Sequence, residues 1–161
     1  MSDSGENQPV YTDENRRAVL MVMRIIWLAL VVGQVGFGAV VIFMIRQAGP
    51  SQQSHLTGQM FAIACGVFIG AVGLGYFLRN QSYKKHWHEH AVAPPGYFQG
   101  NLLLLALLEF SSFLTLVLVM LHGEVFPLIL PAVASLAVQC ANYPSPLPMQ
   151  PHVPELGDPS P

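Results

Sequence analysis

The chain has 161 residues, 52% of them hydrophobic and only 10% charged, with a mean hydropathy of +0.45. Soluble domains carry about a quarter charged residues, and a water-soluble fold of this size could not hide so much apolar surface behind so few charges. A formal net charge of −2 leaves no basic field for nucleic acid.

Residues 1–17 are polar, with Asp3, Glu6, Asp13, Glu14, Arg16 and Arg17, and read as a short solvated tail. Ile25 to Ile45 then runs 21 residues without a charge, and Gln34 is its one strongly polar side chain. About 20 apolar residues cross a bilayer as a helix. Arg24 and Arg46 bracket the run with stems long enough to snorkel to the headgroups. A cleaved signal peptide is the competing reading, but such a core is usually about 7–15 residues long and is followed closely by a small-x-small site. Neither holds here, so this is read as a retained helix.

The second apolar run covers 60–78 and stops at Arg79, the third covers 102–121 with Glu109 inside it, and the fourth covers 125–141. Pro127 and Pro131 fall in the fourth run. A proline in the first turn is tolerated, whereas Pro131 is expected to bend the helix. The fold class that follows is an all-α integral membrane protein, its four transmembrane helices forming two hairpins within residues 18–142. Cys65 and Cys140 lie near opposite ends of their helices, so no disulfide is expected between them.

Arg16, Arg17 and Arg24 flank the first helix, and Arg79, Lys84 and Lys85 lie between the second and third helices at and within the 80–101 loop, so six of the seven Lys/Arg fall on one side and Arg46 on the other. The positive-inside rule therefore puts both termini in the cytoplasm of a multi-pass inner-membrane protein. Residues 143–161 hold seven prolines and no Lys or Arg. Such a cytoplasmic tail is expected to be disordered or polyproline-like, inert or a partner site.

Helices in lipid approach closely where side chains are small. Ala62, Gly66, Gly70 and Gly73 fall on one arc of the second helix and form a groove for tight packing, within one chain or between subunits. Ala29, Gly33 and Gly36 offer a second set on the first helix.

Glu109 is the most informative residue. An acid at that depth is costly when charged and is by default a functional hypothesis. It is expected to be neutral at pH 7 and to point into the bundle, within reach of Gln34 or of Ser112 one turn on. Two roles follow: a packing tie between helices, or a proton or sodium site. His86, His88 and His90 alternate, so an extended segment would turn all three to one side, as imidazole trios that bind zinc, nickel or copper require. The alternative is an interfacial loop anchored by Trp87 and the adjacent Lys84 and Lys85. No nucleophile motif, P-loop, dinucleotide fingerprint or thiol pair is present. The reading is of no enzymatic activity and no cofactor.

Gly66, Gly70, Gly73 and Gly75, then Arg79-Asn80-Gln81, then Ala106-Leu107-Leu108-Glu109 resemble the proteolipid c subunit of rotary ATP synthases. That resemblance implies Glu109 as a proton or sodium site. It departs from the family in its longer loop, irregular glycine spacing and two extra flanking helices. Over nearly the whole chain, Arg24-Ile25-Ile26-Trp27-Leu28-Ala29-Leu30, Tyr97-Phe98-Gln99, Ala106-Leu107-Leu108-Glu109 with Phe113, Gly123, and Tyr143-Pro144 are similar to a group of small bacterial four-helix membrane proteins without an assigned activity. This second likeness implies a topology only. The expected function is structural or accessory to a membrane complex, with the lipid bilayer, other membrane subunits or a second copy as partners and no nucleic acid. Its rival is an ion-handling subunit built on Glu109.

Overall fold

The structure, a computed structural model, describes residues 12–48, 57–88 and 91–150. Four α-helices account for most of it: α1 (Asp13–Ala48), α2 (Thr57–Lys85), α3 (Pro94–His122) and α4 (Leu130–Ala141). The first three are long and apolar enough to cross a membrane. At 12 residues, α4 is about 18 Å long and does not by itself match a hydrocarbon layer of about 30 Å. The fourth apolar run is thus helical only from Leu130, and residues 126–129 form a turn before it. Pro131 falls at the second position of α4, so it opens the helix instead of bending it.

Apolar runs mark the least extent of a helix, and each long helix continues into polar sequence. α1 starts at Asp13, so residues 13–17 of the expected tail are its first turn and beyond, with Asp13 and Glu14 placed to favour the helix dipole. α2 runs to Lys85 and α3 begins at Pro94, which shortens the expected 80–101 connection to residues 86–93. A small antiparallel hairpin fills it: β1 (Trp87–His88) pairs with β2 (Ala91–Val92), Trp87 opposite Val92 and His88 opposite Ala91. Pro94 and Pro95 occupy the first turn of α3, where missing N–H groups cost nothing. Gly123 ends α3 in the left-handed region at φ 77°, its N–H bonding the Val119 carbonyl at 3.0 Å. A side chain there would strain the backbone.

α3 is the helix on which the other three pack, and α1 and α2 make little contact with each other. Two apolar clusters mark the ends of the bundle. Met23, Val92, Tyr97, Leu105 and Met149 form one, and Val41, Leu116, Val119, Leu128 and Ala132 form the other. Tyr97 and Val119 lie about 33 Å apart along α3 at 1.5 Å per residue. Because Leu128 sits with Val119 and Met149 with Tyr97, the segment 125–150 travels the height of the bundle and returns to the end where α1 starts.

The proline-rich segment is therefore ordered as far as Gln150, contrary to the disorder expected from its composition. Pro144 is buried, Met149 is 2% exposed, and Leu147–Met149 forms a single 3-10 turn. Tyr97 Oη donates to the Ser145 carbonyl at 2.9 Å and Arg24 Nε to that of Pro144 at 3.4 Å. Residues 151–161 lie outside the described residues. Cys65 and Cys140 are free thiols.

Candidate functional site: a polar interior between α1, α3 and α4

α3 turns Leu108, Glu109, Ser111, Ser112 and Thr115 inward, all buried. α1 contributes Gln34 and α4 contributes Ser135 and Gln139, also buried. In a chain with so few polar side chains, this concentration on the inner faces is selective. It gives each helix pair a directional contact that apolar packing lacks.

The contacts run from helix to helix. Gln34 Nε2 donates to Ser112 Oγ and, at 3.3 Å, to the Ala132 carbonyl, so one α1 side chain reaches both α3 and α4. Ser135 Oγ donates to the Leu108 carbonyl at 2.7 Å. Gln139 Nε2 donates to Glu109 Oε2 at 3.2 Å. The carbonyl of Gln139 in turn accepts from Trp27 Nε1 at 2.9 Å. Gln34 Oε1, Ser111 Oγ and Gln139 Oε1 are buried without a partner among the described residues.

Glu109 is 9% exposed and held within the bundle. Its partner is Gln139, however, and not Gln34 or Ser112, which bond to each other. One signal in the sequence pointed to Gln139: it is the only amide side chain in the fourth apolar run. Chemically the site is a carboxyl facing an amide, and no ion pair to Glu109 occurs among the described residues. Such an arrangement ties helices, and it can also hold a proton.

The groove expected on α2 is not filled within the chain. Ala62, Gly66, Gly70 and Gly73 are exposed, and a Cβ added at any of the three glycines would meet nothing within 4 Å. The same holds for Gly33 and Gly36 on α1. The face that packs on α3 carries Ala64, Ala71, Gly75 and Ser82. At Gly75 an added Cβ would lie 2.7 Å from Leu104 Cδ1. Close approach of α2 to α3 does rest on small residues, but on the opposite stripe from the one expected.

His86 is held back by its own helix, with Nδ1 3.0 Å from the Ser82 carbonyl and its ring against Gly96. The side chains of His88 and His90 lie outside the described residues. Among the described residues, no three His, Cys, Asp or Glu side chains come together as a metal site.

Both ends of the bundle carry polar clusters that sequence reading missed, because their members are far apart in the chain. At one end Thr57 Oγ1 donates to Glu124 Oε2 at 3.0 Å and lies 2.7 Å from His122 Nε2. At the other, Arg79 Nη1 donates to Asn142 Oδ1 at 2.8 Å, and its guanidinium lies 4.6 Å from the Tyr76 ring centre. Asn142 Nδ2 donates to Tyr76 Oη at 2.7 Å. Arg24 lies over Tyr143 at 5.3 Å, and Tyr143 meets Trp27 edge-on at 5.1 Å.

Comparison with protein families, curated proteins and solved structures found no match. The two resemblances read from the sequence gain no support and lose none.

Proposed function

We propose that the chain is a multi-pass inner-membrane protein that crosses the bilayer four times with both termini cytoplasmic, and that its role is structural or accessory to a membrane complex, without catalysis of its own. One observation carries the reading: polar side chains are gathered inside the bundle while large apolar ones cover its outside. Met21, Ile25, Leu28, Val32, Val35 and Phe43 on α1 are each more than half exposed, while Gln34, Ser112, Ser135 and Gln139 are 3% exposed or less. Water would reverse that distribution, and lipid favours it because unsatisfied polar groups in hydrocarbon cost several kcal/mol. The fourth crossing is α4 with its flanks, of which Leu128, Pro144 and Met149 are buried against the bundle. The Gln34, Ser112, Ser135 and Gln139 side chains each tie two helices, as a bundle needs when the hydrophobic effect no longer drives association.

Alkaline carbonate extraction of membranes from expressing cells tests the reading. The chain is expected to stay with the pellet and to need detergent for release. Recovery in the carbonate supernatant would overturn it.

A second reading, in which Glu109 handles a proton or sodium ion, is favoured by the orphaned Gln139 Oε1, which belongs to the same side chain that holds Glu109. An oxygen with no partner beside a carboxyl is what a transient proton or cation would use. Carbodiimide labelling separates the two: pH-dependent modification at Glu109, abolished by Glu109→Gln, supports ion handling, and resistance at all pH values supports the tie.

A further inference from the structure

On α1, Arg17, Arg24, Ile25 and Leu28 share one face, spaced at the i, i+7, i+8, i+11 positions of a helix. With Trp27 and Tyr143 they line an open groove of about 450 Å³. The groove is apolar along its floor and cationic at one side. Ile25 and Leu28 are 59% and 56% exposed, so its wall is not covered by any other described part of the chain.

The two arginines are the unusual part. Neither pairs with a carboxylate among the described residues, since Asp13, the nearby acid, is 3.6 Å from Arg16 instead. Arg24 is held in place from one side only. Its Nε donates to the Pro144 carbonyl, and its plane lies over Tyr143. This fixes the fork while its two terminal nitrogens keep no partner among the described residues. A guanidinium so oriented presents parallel donors that match phosphate oxygens. Arg17 stands two turns, or about 10.5 Å, nearer the start of α1.

We propose that this groove binds an anionic phospholipid of the surrounding bilayer, its phosphate held between Arg17 and Arg24 and one acyl chain lying along Ile25 and Leu28 against Trp27. The proposal rests on the membrane reading above. It goes beyond it in naming a lipid class and the residues that select it. A neutral acyl chain alone would need no arginine, and a free phosphate would need no apolar floor. Basic residues at the ends of membrane helices attract anionic headgroups, and the cytoplasmic leaflet supplies them.

Trp27 makes the site measurable. In a Trp87→Phe background it is the only tryptophan of the chain, because Trp27 and Trp87 are the two present. The full chain would be reconstituted into vesicles of phosphatidylcholine with increasing fractions of dibrominated phosphatidylglycerol or dibrominated phosphatidylcholine, and quenching of Trp27 followed. Phosphatidylglycerol is expected to quench with an apparent affinity about thirtyfold above phosphatidylcholine, from two arginines near the surface. Arg17→Gln/Arg24→Gln is expected to bring that ratio close to one. Arg17→Lys/Arg24→Lys, which keeps the charge and loses the fork, should fall between the two.

Equal quenching by the two lipids in the chain with both arginines would overturn the site, leaving only an unselective lipid annulus. A preference that survives the glutamine pair would overturn it too. Carbonate resistance on the same vesicles separates the levels. A chain that is extracted fails the membrane reading and this site with it, whereas a retained but unselective chain fails only the lipid site.

Discussion

Trp27 and Gln139 lie 112 residues apart in the chain, and the indole N–H of the first donates to the backbone carbonyl of the second at 2.9 Å. That carbonyl belongs to the last turn of α4, where it also accepts from the Asn142 backbone N–H at 3.2 Å. The α1 side chain thus caps the α4 end, while the Gln139 side chain reaches α3. One residue joins three helices.

Removing the indole donor tests this junction. Trp27→Phe keeps an aromatic body and loses the hydrogen bond, and is expected to cost about 1 kcal/mol. Chemical unfolding in detergent, followed by circular dichroism, reads it. An unchanged midpoint would mean that the Asn142 N–H satisfies the α4 carbonyl without the indole.

The Glu109–Gln139 contact makes a sharper prediction. Glu109→Gln keeps a polar partner for the Gln139 amide and is expected to fold with a midpoint near that of the original chain. Glu109→Leu strands the amide in the interior and is expected to lose about 1–3 kcal/mol. Gln139→Leu should cost a similar amount, and the double change to leucine less than the sum of the two, because neither partner is then left alone. Strict additivity would show that the two side chains do not act as a pair.

Gly75 and Gly70 should behave oppositely. Gly75→Leu must displace Leu104 and force α2 away from α3, at a cost of about 1–3 kcal/mol or more. Gly70→Leu meets open space and is expected to leave the melting temperature of the single chain unchanged. Thermal unfolding of the monomer in detergent compares them. Equal losses would mean that both faces of α2 are covered.

Met149→Ala tests whether the proline-rich segment is a working part of the bundle. Met149 packs with Met23, Val92, Tyr97 and Leu105, so its truncation is expected to cost about 2 kcal/mol or more. A silent substitution would show that residues 143–150 add nothing to stability.

Reporter fusions test the proposed topology. Fusions after Ser54 and Gly123 are expected to report the outside, and fusions after Lys85 and Pro151 the inside, from the one-sided placement of Lys and Arg. An inside signal after Gly123 would remove the fourth crossing.

The three long helices were legible because an apolar run longer than a bilayer is thick admits few alternatives. The burial of Glu109, Gln34 and Ser112 was legible for a related reason: polar residues at one depth in an apolar bundle turn inward, although Gln34 and Ser112 bond each other and not Glu109 as expected. The partner of Glu109 was not, because Gln139 sits on a helix too short to place by hydropathy alone. The packing face of α2 was missed on different grounds. Small residues line both sides of that helix, Gly66, Gly70 and Gly73 on one and Ala64, Ala71 and Gly75 on the other. Periodicity detects such stripes without saying which one meets a neighbour. The docking of Pro144 and Met149 was hidden because their partners, Arg24, Met23 and Tyr97, come from two distant segments and follow no local pattern.

The central place of α3 has a consequence for the order of events in synthesis. Ser112 follows Gln34 by 78 residues, and α1 and α2 have little to hold each other before α3 is made. On the membrane reading proposed above, a nascent chain entering lipid would through that interval carry a Gln34 amide without its Ser112 and Ala132 partners. Water in the insertion channel or a polar groove of the insertion machinery would then have to shelter it until the third helix arrives. Ribosomes stalled before and after residue 112 should therefore differ in how firmly α1 is released into the bilayer, and Gln34→Leu should erase that difference.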